Sequence, residues 1–90
     1  MGIRIKMTRL LMECTKSPSI VYASGSTVGE CLDNVLEKYP GAKKCFFDRR
    51  GGLIINISVN KQEFISHKDK LDLPVKEGDE IYLLNVVGGG

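Results

Sequence analysis

Hydrophobic and polar positions alternate from the start of the chain. Ile3, Ile5 and Met7 interleave with Arg4, Lys6 and Thr8, the period of two expected of a strand with one buried face. The alternation breaks at Arg9-Leu10-Leu11-Met12, where the strand is expected to end or kink. Lys16-Ser17-Pro18-Ser19 reads as a turn and Ile20-Val21-Tyr22-Ala23 as a short second strand. Two strands in succession suggest a hairpin with a longer loop than usual.

The period then changes. Val28, Cys31, Leu32, Val35, Leu36 and Tyr39 fall at i, i+3, i+4, i+7, i+8 and i+11, one continuous helical stripe. Thr27 and Glu30 have the spacing of a capping box, with the threonine oxygen facing the amide of Glu30 and the carboxylate facing the amide of Thr27. Pro40-Gly41 ends the helix, because proline cannot continue it and disfavours helical geometry at Tyr39. Cys31, on the buried stripe, reads as a small core residue rather than a nucleophile.

A polar loop, Asp48-Arg49-Arg50-Gly51-Gly52, leads into Leu53 to Val59, where Ile55, Ile57 and Val59 alternate with Asn56 and Ser58. Asn60-Lys61 turns the chain, and lysine where a tight turn prefers glycine implies a looser turn or strain. A brief strand is expected around Glu63-Phe64-Ile65, a turn at Glu77-Gly78-Asp79 and a last strand from Ile81 to Val87. That strand is apolar on both faces except at Asn85, which marks a central strand or one whose outer face meets a partner. If Ile81 and Leu83 face the helix, Tyr82, Leu84 and Val86 face away and form a candidate partner-binding patch. The core is expected where the helix stripe meets Ile3, Ile5, Ile55, Ile57, Ile81 and Leu83. The class is α+β, a mixed sheet with one main helix across one face.

Composition narrows the function. Ninety residues fit one domain, read as residues 1–87 followed by a glycine tail, 88–90. With 42% apolar and 27% charged residues the chain builds a core and is not disordered. Thirteen Lys+Arg against eleven Asp+Glu leave +2, too balanced to announce nucleic acid or an anionic membrane. Lys43-Lys44 and Arg49-Arg50 flank Phe46-Phe47, but four cations offer too few phosphate contacts for a nucleic-acid surface. No apolar run nears the ~20 residues of a membrane span, and the start lacks a signal-peptide core, so a cytoplasmic protein is expected. Met1-Gly2 would suit myristoylation only with Ser or Thr where Lys6 stands.

Catalytic and metal chemistry find little to use. Cys14, Cys31 and Cys45 are irregularly spaced, no C-x-x-C occurs, and His67 is the one histidine. That pattern matches neither a zinc finger nor an iron–sulfur site, and three ordinary thiols in a reducing compartment are expected. His67 lies in a charged stretch that cannot by itself supply a Ser/His/Asp triad. Gly51-Gly52 opens no helix and lacks the Lys-Ser/Thr of a phosphate loop. The chain therefore reads as a non-enzyme with no metal of its own.

The informative feature is Gly88-Gly89-Gly90 after a hydrophobic strand. One reading is a frayed end or a cloning remnant. The other starts from geometry. Three residues span about 10 Å and, lacking side chains, can thread a narrow tunnel to present the carboxylate of Gly90. Activated as a mixed anhydride with a nucleotide, that unhindered glycyl carbonyl is open to sulfur or an amine.

Thr27-Val28-Gly29-Glu30-Cys31-Leu32, then Val59-Asn60, then Leu71 through Ile81 and the Gly-Gly end resemble the MoaD/ThiS family of ubiquitin-like β-grasp sulfur carriers. The resemblance covers essentially the whole chain and rests on the order of these landmarks. It implies a β-grasp with a sheet of four to five strands, the first and last parallel in the middle. It also implies that Gly90 is adenylated by an E1-like enzyme using ATP and magnesium and then thiocarboxylated, with Gly88 and Gly89 as its tail. Lys61 departs from the family's frequent glycine, and Leu84 stands where a bulky aromatic is common. The stretch 43–57 resembles an insertion of molybdopterin-synthase small subunits, which points to molybdopterin synthesis and to the large subunit of that synthase as a partner. The alternatives are a ubiquitin-like modifier joined through Gly90 to lysines, or a sulfur carrier for thiamine or tRNA thiolation.

Overall fold

A computed structural model of the chain describes residues 2–61 and 71–85. Four strands, β1 (Ile3–Met7), β2 (Ile20–Ala23), β3 (Ile55–Val59) and β4 (Glu80–Asn85), form one sheet in the order β2-β1-β4-β3. β1 and β4 run parallel in the middle, with Ile5 opposite Ile81 and Met7 opposite Leu83. β2 and β3 are antiparallel to their neighbours on the two flanks. This is the expected mixed sheet, in a ubiquitin-like β-grasp.

The main helix, α2 (Val28–Lys38), crosses the inner face of the sheet. Its predicted stripe is the buried one: Val28, Cys31, Leu32 and Val35 are in the core, and Leu36 and Tyr39 pack at its margin. Every strand residue expected opposite it, Ile3, Ile5, Ile55, Ile57, Ile81 and Leu83, is buried. The threonine half of the cap is as expected, Thr27 Oγ1 accepting from the amide of Glu30 at 3.2 Å. The glutamate half differs. Glu30 Oε1 accepts from the amide of Ser26 at 2.7 Å, one residue earlier than the capping-box pattern, because the chain folds back at Gly25. A Cβ on Gly25 would lie 2.8 Å from Cβ of Glu30.

β1 ends where the alternation is lost, as expected, but the segment after it is not simply a long hairpin loop. It is a second helix, α1 (Arg9–Thr15), capped by Thr8, whose side chain accepts from the amide of Leu11. Leu11 and Thr15 are its buried residues, and Lys16 closes it in the left-handed region at φ 59°. A helix of two turns repeats its stripe too few times for a period to show. Beyond α2 a single 3₁₀ turn (Pro40–Ala42) runs into a one-turn helix, α3 (Lys43–Phe46). Phe46 is wholly buried, so only Phe47 remains beside the basic residues of that stretch.

The cysteines correct a second expectation. Cys14 of α1 and Cys45 of α3 are joined in a disulfide, their Cα atoms 6.2 Å apart and 31 residues apart in sequence. Only Cys31 is a free thiol. Spacing along the chain carries no record of this pairing, which depends on two helices meeting at one end of the sheet.

Asn60 and Lys61 both take positive φ, 53° and 64°. The turn after β3 is thus the left-handed type for which glycine suits the second position, and Lys61 adopts it at a steric cost of about 1–2 kcal/mol. The strand expected around Phe64 and the histidine His67 lie outside the described residues.

Candidate functional site

The period of two in every strand decides what the open face of the sheet carries. The odd-numbered residues Ile3, Ile5, Met7, Val21, Ala23, Ile55, Ile57, Ile81 and Leu83 are buried on the side of α2, so the even-numbered strand residues share the other face. Across it the register sets Ile20 beside Lys6 and Tyr22 beside Arg4, then Lys6 beside Tyr82, then Tyr82 beside Ser58 and Leu84 beside Asn56. Tyr82 and Leu84 therefore lie on the outer face as expected, each half-buried. Arg4 pairs with Glu80 at 3.6 Å, and Lys6 holds its ammonium 5.5 Å from the centre of the Tyr82 ring.

Two further apolar side chains belong to this surface. Tyr22 is 57% exposed and Ile20 37% exposed, although both are large and hydrophobic. Inward-facing Val21 and Ala23 alternate with them, and that alternation in β2 was the signal that places them outside. Ser58, although on this outer face, is buried at 1%. Val86, Gly88, Gly89 and Gly90 lie outside the described residues. What the structure does describe is the base from which they follow: Asn85, opposite Ile55 at the end of β4.

The landmarks spread along the sequence come together in pairs. Val28 N donates to the carbonyl of Leu73 at 3.0 Å, and Val75 N donates to that of Ser26 at 2.9 Å, which seats 71–75 against the start of α2. Gly29 allows this approach, since a Cβ there would stand 3.1 Å from the carbonyl oxygen of Leu71. In the same way Asn60 joins the start of β4. Its Oδ1 accepts from the amide of Glu80 at 3.0 Å and its Nδ2 donates to Asp79 Oδ1 at 3.2 Å. Asp79 Oδ2 also accepts from the amide of Lys76 at 2.9 Å. These bonds favour the ionised form, so the carboxyl of Asp79 titrates below the ordinary value, first through the Lys76 amide and then through Asn60.

Nothing in the described residues resembles a catalytic centre. No group of three or more His, Cys, Asp or Glu side chains among them is placed to hold a metal ion. The Cys31 thiol is pushed above its usual range by burial and then by the charge of Glu30, the opposite of what a nucleophile needs. No helix among them is long and apolar enough to cross a membrane. The arrangement instead offers a compact platform, an outer sheet face with Ile20, Tyr22, Tyr82 and Leu84, and a central strand leading to glycines.

The sequence profile of the ThiS family matches residues 5–90, nearly the whole chain and all of its glycine end. The chain belongs to the ThiS family. Ubiquitin-related modifier 1 of Encephalitozoon cuniculi is 35% identical over 71 residues, covering 76% of this chain and 72% of that protein. Among solved structures, a chain of the BexX/CysO complex of Amycolatopsis orientalis superposes with a TM-score of 0.77 at 30% identity, over 99% of this chain and 100% of that one. SAMP1 of Haloferax volcanii gives 0.78 at 28% identity, over 98% of both chains. This member of the ThiS family is thus a ubiquitin-like protein of the sulfur-carrier and modifier type.

Proposed function

We propose that the chain is a sulfur carrier that works through the carboxylate of Gly90. An E1-like enzyme, with ATP and magnesium, transfers adenylate to that carboxylate with loss of pyrophosphate. A sulfur donor then displaces AMP and leaves a thiocarboxylate. The observation that carries this reading is the family match running through Gly90, on a fold whose central strand leads to the glycines. The recipient we favour is molybdopterin synthesis, with the large subunit of molybdopterin synthase as partner, on the resemblance of the stretch 43–57. Tyr82 and Leu84 on the outer face, together with Val86, are the residues assigned to docking.

A second reading has an observation of its own. The relatives include proteins named as modifiers, one of them 35% identical, which supports conjugation of the same activated carboxylate to lysines of other proteins. In both readings the attacking thiol or amine comes from elsewhere.

Incubation with the activating enzyme, ATP, magnesium and a sulfur donor tests the proposal by intact mass. One oxygen should be exchanged for sulfur. A variant lacking Gly89-Gly90 should keep its thermal stability and take up no sulfur. A variant with one residue added after Gly90 should be inert as well; if it is adenylated as readily as the parent, without processing, both readings fail. Restored cofactor synthesis in a strain lacking its own molybdopterin carrier supports the first recipient, and a ladder of conjugates supports the second.

A further inference from the structure

We propose that Cys14 and Cys45 form a thiol–disulfide exchange site, open to dithiols at Cys14, that clasps α1 to α3 beside the end of β4. It does not rest on the reading of Gly90. The two residues are bonded across 31 positions of sequence, and they differ in access. Cys14 is an exposed residue of α1, whereas Cys45 is only 5% exposed. The third cysteine stands apart, wholly buried on α2. An incoming thiolate therefore has one sulfur to attack, and the protein holds one leaving group for it.

Topology places the clasp. Met7 ends β1 opposite Leu83 of the parallel strand β4, and α1 starts two residues later at Arg9. Ile55 begins β3 opposite Asn85, and α3 lies just before it in sequence. The two helices thus flank the end of the sheet where β4 runs out, and α1 packs against both β4 and α3. α1 has its own hold on the core through wholly buried Leu11, so opening the clasp loosens this end without undoing the fold.

The exchange balances as follows. A thiolate of the dithiol bonds to Sγ of Cys14, the Cys14–Cys45 bond breaks, and its electron pair leaves on Sγ of Cys45, which takes a proton. The Cys45 sulfur already lies 3.7 Å from the carbonyl oxygen of Gly41, an acceptor for the new S–H. The second thiolate of the dithiol then attacks the first, closing the donor's own disulfide and releasing Cys14, which is protonated in turn. Two electrons and two protons pass from dithiol to protein, and a disulfide of the same class reverses the step.

Intact mass with thiol alkylation tests this on the full chain. After equilibration with oxidised glutathione and denaturation, iodoacetamide should label Cys31 alone; after dithiothreitol it should label all three cysteines. Cys14→Ser and Cys45→Ser should each abolish the two-hydrogen mass difference, and Cys31→Ser should keep it. In the fully reduced, still folded protein, iodoacetamide should alkylate the exposed Cys14 faster than the buried Cys45. Reduction should also lower Tm by about 10 °C or more, because the bond closes a loop of this length, with helical circular dichroism retained at room temperature. Three labelled thiols after oxidised glutathione, a mass difference that survives in Cys14→Ser, or a Tm unmoved by dithiothreitol would each overturn the proposal.

Discussion

Lys6 carries its ammonium over the ring of Tyr82, 5.5 Å from the ring centre, across the parallel pair of central strands. The contact sits in the middle of the open face and covers part of Tyr82, while Ile20 and Tyr22 on the neighbouring strand remain exposed. Lys6→Met should remove a cation–π contact between two half-buried side chains, worth about 0.5–2 kcal/mol and read as a small drop in chemical-denaturation stability. Leu84→Asp should leave the free protein folded and weaken binding to the activating enzyme at least about ten-fold, as for an apolar anchor of an interface. Equal affinities of parent and Leu84→Asp in calorimetry would rule the face out as the docking surface.

Leu32 is 1% exposed at the centre of the α2 stripe. Leu32→Ala should cost about 2–5 kcal/mol, the lost transfer free energy plus the cavity left under the helix. The midpoint of urea unfolding should fall with the slope unchanged. An unmoved midpoint would contradict the packing described.

The start of α2 depends on two side-chain acceptors for backbone amides, Thr27 for Glu30 and Glu30 for Ser26. Thr27→Ala should lose about 1 kcal/mol. Glu30→Gln keeps an oxygen acceptor but loses the negative charge near the helix N-terminus, and should cost less than Thr27→Ala. The reverse order in thermal unfolding would show that the glutamate, not the threonine, holds the cap.

Asp79 contributes to the acid limb of stability. Its carboxyl is lowered from the ordinary 3.8 by the Lys76 amide first and by Asn60 second. A depressed folded value means that the native state holds its proton less tightly than the unfolded chain. The stabilisation is therefore fully present above the ordinary carboxylate range and is lost as pH falls through it towards the lower folded value. Wild type should lose stability more steeply than Asp79→Asn below about pH 4, with the two curves parallel near neutrality. Parallel curves throughout would exclude the Lys76 and Asn60 bonds as the cause.

Much of this protein was legible in its order of residues. Alternation in Ile3–Met7 and the helical stripe from Val28 to Tyr39 are local signals, because burial on one face repeats every two or every 3.6 residues. They determined the inner and outer faces, the core and the cap at Thr27, and with the glycine end they pointed to the family. What tertiary structure decided is whatever requires two distant segments to meet. Arg9–Thr15 is too short to show a helical period, and it becomes a helix through the Thr8 cap and the burial of Leu11. Seating 71–75 against Gly29, and Asn60 against Asp79 and Glu80, depends on bonds between residues far apart in the chain. Ile20 and Tyr22 join the outer face only once β2 pairs with β1. Cys14 meets Cys45 only because α1 and α3 pack at one end of the sheet. Spacing along a chain says nothing of such meetings, because the distance between two side chains in space is set by the fold that brings their segments together.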